Sequence, residues 1–79
     1  MSGYTTEQIR NIFNNHAGES MIFKDPFTQS NLHIYPLEDS FFVKTIKDGE
    51  VRRTGRIMWS VYLQAFVGND YHIPISWRI

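Results

Sequence analysis

Residues 57–67, IMWSVYLQAFV, decide the architecture because they satisfy two periodicities at once. Read with a period of two, Ile57, Trp59, Val61, Leu63, Ala65 and Val67 put apolar side chains on one face of an extended strand. Read with a helical period, Trp59, Tyr62, Leu63, Phe66 and Val67 form a stripe, with Gly68 as the stop. The unbroken alternation favours the strand. Gly68-Asn69-Asp70 then supplies a hairpin turn into a last strand over residues 71–77 (YHIPISW). Pro74 has no backbone N–H, so that strand belongs at an edge or a bulge. A helix at 57–67 would leave a smaller sheet, and both versions are α+β.

Immediately upstream lies KDGEVRRTGR, residues 47–56. Asp48-Gly49 is a strong hairpin signal, since both residues tolerate the positive φ that a two-residue turn needs. A tight turn there pairs Lys47 with Glu50, Ile46 with Val51, Thr45 with Arg52, Lys44 with Arg53, and Val43 with Thr54. Arg52, Thr54 and Arg56 then share a face with Val43 and Thr45, while Arg53 shares the other with Lys44, Ile46 and Val51. Neighbouring arginines are thrown to opposite sides, and the hairpin offers no unified cationic platform for a DNA groove. A bulge at Gly55 would re-aim the side chains after it.

Further upstream the chain alternates turn chemistry with short apolar runs. Residues 40–47 (SFFVKTIK), 32–35 and 20–23 read as strands, rich in aromatic and β-branched side chains. Residues 24–31 (KDPFTQSN) are turn-rich, and Asp25 shapes the approach to Pro26. At the start, Thr5-Thr6-Glu7-Gln8 is a capping box with Thr5 as N-cap and Gln8 reaching back. Tyr4 and Ile9 flank it as a hydrophobic staple. Ile9, Ile12, Phe13 and His16 continue at helical spacing to a stop at Gly18. A helix over about residues 6–16 is too short to stand alone in water and must lean on the sheet. The sequence therefore predicts one small α+β domain over residues 1–79: an N-terminal helix packed on a four- to five-stranded antiparallel sheet.

The 79 residues contain no cysteine, so neither a disulfide nor a thiolate zinc site supports the fold. A chain this short has a thin stability margin, which its 15% aromatic content helps to widen and self-association would widen further. No basic-led apolar segment opens the chain, and residues 57–67 are too short to span a bilayer. The expectation is a soluble, cytoplasmic protein without membrane contact. Formal net charge is zero but unevenly spread. Residues 1–40 carry two cations against five carboxylates, and residues 41–60 carry five cations against two.

Nothing in the sequence assembles a catalytic or cofactor site. His16, His33 and His72 show no metal-ligand spacing, and His16 reads as the boundary of the helical stripe. The best alternative for a hydrolase or metal-dependent nuclease is Asp25, Glu38 and Lys44, whose spacing does not fit a short carboxylate–lysine motif. The glycines mark turns rather than a phosphate cradle. The expected function is thus non-catalytic binding, without cofactor or metal: an adaptor- or inhibitor-like module for another protein, with self-association as a homodimer through its sheet included. The candidate contact residues are Lys44, Arg52, Arg53, Arg56, Trp59, Tyr62, Trp77 and Arg78, types enriched at protein interfaces or able to steer a charged partner. The same mixture of cations with Phe41, Phe42, Trp59 and Tyr62 makes nucleic acid the alternative partner.

Overall fold

The computed structural model describes residues 3–15 and 20–79. Helix α1 (Thr6–Asn15) is followed by strands β1 (Met21–Lys24), β2 (Asn31–Pro36), β3 (Phe41–Lys47), β4 (Glu50–Ser60), β5 (Ala65–Gly68) and β6 (Tyr71–Pro74), and by a 3-10 turn at Ile75–Trp77. The strands form one antiparallel meander in chain order, curled into a half-barrel with α1 against its inner face. The α+β class is as expected, but the sheet has six strands rather than four or five.

The extra strand comes from residues 57–67, which are neither one strand nor a helix. Ile57 and Trp59 finish β4, residues 61–64 turn, and Ala65 opens β5. Length explains the division. The hairpin already begins β4 at Glu50, so an uninterrupted strand to residue 67 would run roughly 60 Å at about 3.3 Å per residue. The longest axis of the molecule is 35 Å. The turn is fixed by polar side chains: Ser60 Oγ accepts the Leu63 N–H (3.2 Å), and Gln64 takes a positive φ of 51°. The last predicted strand is also shorter, since Pro74 ends β6 and residues 75–77 wind into the 3-10 turn.

The capping box is present as read. Gln8 N–H donates to Thr5 Oγ1 (3.1 Å), and Thr5 N–H donates to Gln8 Oε1 (2.9 Å). Ile9 and Phe13 are buried, while His16 and Gly18 lie outside the described residues. Tyr4 carries a larger duty than a staple. Its carbonyl accepts from Trp59 Nε1 (3.0 Å) and Gln64 Nε2 (2.9 Å), and its N–H donates to Gln64 Oε1 (2.7 Å). Arg10 holds the helix from the other side, donating to the carbonyls of Leu37 and Ser40 with its guanidinium over the Phe41 ring.

The two-residue turns of the β3–β4 and β5–β6 hairpins use left-handed residues. Asp48 and Gly49 have φ of 54° and 78°, and Asn69 and Asp70 have 47° and 65°. Asp25 builds the longer turn by accepting the N–H groups of Phe27 (2.8 Å) and Thr28 (3.3 Å). The sheet is sewn together at its rim, where the chain after β6 crosses back to β1. Phe23 bridges Arg78, and Ile79 N–H donates to the Ile22 carbonyl (3.1 Å).

The inner face is filled by rings. Phe66 lies edge-on to Phe23, Phe41 and Trp59, with centroids 5.7, 5.1 and 5.0 Å away, and Phe13 brings α1 onto Phe41 at 5.5 Å. Each edge-to-face pair adds about 1 kcal/mol to the burial itself. Phe66→Ala is expected to cost about 3–5 kcal/mol, enough to consume much of a small domain's stability, as read from urea denaturation. Gly49→Ala, in open space with only its φ at stake, should cost about 1 kcal/mol in the same measurement.

Candidate interaction surfaces

The β3–β4 register differs from the expected one by a single residue. Lys47 pairs with Glu50 and Ile46 with Val51, but Thr45 then pairs with Arg53, leaving Arg52 as the extra residue of a bulge. Every later face assignment is reversed. Arg53 lies on the inner face with Thr45, while Thr54 and Arg56 pair with Lys44 and Phe42 on the outer face. Gly55 is not bulged. It pairs with Val43, and an added Cβ would come within 3.1 Å of Tyr71 and 3.2 Å of Asn69. The arginines remain divided, now three ways.

Arg52 is answered locally. Its guanidinium is 3.3 Å from Glu50 and 4.0 Å from Asp48, both exposed. Arg53 folds over the Tyr71 ring at 4.3 Å, donates to the Asn69 carbonyl, and stands 4.0 Å from Asp70. It lines a cleft of about 380 Å³ with Ser30, Thr45, Tyr71 and Trp77. The polar groups there bond to one another: Thr45 Oγ1 to the Tyr71 hydroxyl (2.8 Å), and Thr28 Oγ1 to Ser30 Oγ (3.0 Å). Arg56 points outward, and its carbonyl accepts from Asn69 Nδ2.

The other candidates are scattered. Lys44 lies on the outer face with its ammonium 5.4 Å from the Tyr35 ring centroid. Trp59 is part of the core, where its ring is closed to a partner. Trp77 sits in the 3-10 turn with its ring edge toward Phe27 (6.1 Å). Arg78 serves the rim bridge and borders a second, apolar hollow beside Ile12, Met21 and Ile79. Tyr62 is 94% exposed at the crest of the 61–64 turn, between half-exposed Val61 and Leu63. The crest is braced from below by Gln64, which also donates to the Val61 carbonyl (2.8 Å) and accepts the Ile75 N–H at its own carbonyl (3.0 Å).

The residues weighed for chemistry are kept apart. His33 on β2 and His72 on β6 have three strands between them. Asp25 and Glu38 lie in turns at opposite ends of β2, and Lys44 faces outward. Among the described residues no group of three or more His, Asp or Glu side chains could hold a metal ion, and no helix is long and apolar enough to cross a membrane. Sequence reasoning misses Arg10, which reaches Leu37 and Ser40, and the bonds of Gln64 to Tyr4 near the start of the chain. Gln64 falls on the opposite phase of the 57–67 alternation, with Ser60 and Tyr62, so spacing gives no signal for it. No family model, no curated protein and no solved structure matches this chain.

Because Arg52 and its carboxylates are solvated, Arg52→Ala should change unfolding stability by no more than about 1 kcal/mol. Tyr71→Phe, which strips the hydroxyl from a half-buried bond, should cost about 1 kcal/mol and leave the far-UV circular dichroism unchanged.

Proposed function

We propose that this chain is a non-catalytic protein-binding module that engages its partner through the crest at residues 61–64. The observation that carries this reading is Tyr62, 94% exposed between two half-exposed aliphatic side chains on a turn braced by side-chain and backbone partners. Solvent offers such a cluster no stabilisation. A tyrosine in that setting suits the centre of a protein interface, with a large rigid ring and a hydroxyl to satisfy at the pocket floor. The brace matters as much as the ring. A turn fixed before contact loses little conformational freedom on binding, so more of the contact energy appears as affinity.

A different protein fits this surface better than a second copy added at a sheet edge. The outer edge of β1 is occupied by the returning C-terminal residues, and β6 ends in Pro74, which cannot donate to a new strand. The bulge at Arg52 breaks the regular backbone of the first half of β4. The separation of the histidines and carboxylates supports the non-catalytic half of the reading.

Affinity capture from extract of the source cells, with quantitative mass spectrometry, tests the proposal. Wild-type protein should recover a specific partner, and Tyr62→Ala should lower that recovery about thirtyfold. The unfolding midpoint of the variant should be unchanged, since the ring buries almost nothing. Equal recovery by both proteins, or no specific protein with either, defeats the reading. Sedimentation of the isolated chain reports the homodimer separately.

A further inference from the structure

The sheet register separates charge in a way that the zero net charge conceals. Of the chain's Asp and Glu residues within the described structure, only Glu50 falls in a strand, and it pairs with Lys47 beside the hairpin turn. Glu7 is on α1, and Asp25, Glu38, Asp39, Asp48 and Asp70 are in turns. The outward positions of the strands hold Lys24, Lys44 and Arg56, two histidines, and no carboxylate. Among the described residues no element covers this face, because the helix occupies the inner one.

The centre of the face has an ordered layout. Tyr35, Phe42 and Arg56 occupy one cross-strand row, and His33, Lys44 and Thr54 the next. Cross-strand neighbours lie about 5 Å apart and diagonal ones about 7–8 Å, so Arg56 stands beside Phe42, while Lys44 holds its ammonium over the Tyr35 ring at 5.4 Å. Met58 extends the apolar part and is 62% exposed. Aromatic rings between cations, with no carboxylate to repel phosphate, are what a single-stranded nucleic acid requires. Bases stack on the rings, and the backbone runs past the ammonium and guanidinium groups. A duplex fits poorly, since its bases are already stacked and three dispersed cations are too few to hold it on charge alone.

We infer that the outer face of the sheet binds single-stranded nucleic acid, with Phe42 and Tyr35 as the stacking platform and Lys24, Lys44 and Arg56 as the phosphate contacts. This surface is separate from the crest at Tyr62, so the two readings stand or fall independently.

Fluorescence anisotropy of the full chain with labelled oligo(dT) and oligo(U), about twelve nucleotides long, provides the test. Binding should weaken roughly twentyfold between about 50 and 200 mM salt, as three phosphate contacts on a single strand imply. Lys44→Gln or Arg56→Gln should flatten that dependence to roughly sevenfold. Phe42→Leu keeps an apolar side chain but removes the ring, and should weaken binding about tenfold. Arg52→Gln, which removes the same charge from the hairpin, and Tyr62→Ala should both leave binding unchanged. Circular dichroism of each variant confirms the fold. No anisotropy change with wild-type protein overturns the inference, as does a salt dependence that ignores Lys44 and Arg56. Competition by polyglutamate as effective as by oligo(dT) also overturns it, and assigns the face to acidic proteins instead.

Discussion

The contact of Phe66 with three other rings is the interaction on which the rest of this structure depends. Phe66 belongs to the short strand β5, yet its ring meets side chains from β1, β3 and β4. Those strands can surround one residue only if the sheet curls. The curl brings the chain after β6 within reach of β1. The helix completes the enclosure through Phe13 on Phe41 and through the Tyr4 peptide, which satisfies the buried Trp59 N–H.

This enclosure also determines what remains outside. One helix can cover one face, so the other face of every strand meets solvent. Residues 61–64 lie beyond the end of the core, where the alternating apolar pattern continues but no packing surface remains. The two surfaces proposed for binding are therefore products of the same constraint. A core of this size can bury a limited set of rings, and Tyr62, Phe42 and Tyr35 fall beyond it or at its border.

Local chemistry was legible in the sequence, and distant chemistry was not. The Thr5–Gln8 box, the Asp48-Gly49 and Asn69-Asp70 turns and the Asp25 turn all depend on atoms a few residues apart, and each could be read directly. The bulge at Arg52 has no local signature, because Val51-Arg52-Arg53 is equally compatible with regular pairing. It is consistent with the need to seat Gly55 opposite Val43, where the Tyr71 side chain crosses. Residues 57–67 misled for a related reason. Alternation reports which side chains are apolar, not where the core ends. Arg10 and Gln64 find partners 27 to 60 residues away in the chain, and spacing alone carries no trace of such contacts.

The meander has a consequence for the order in which the molecule assembles. Each strand pairs with its successor, so the sheet grows from short-range hairpins that close quickly and at little entropic expense. Tyr4 with Trp59 and Gln64, and Phe23 with Arg78, are among the contacts that join distant parts of the chain. They close larger loops than the hairpins do, at a greater entropic cost. The Trp59 indole N–H, bonded to the Tyr4 carbonyl, is satisfied only once such a long-range seam has closed.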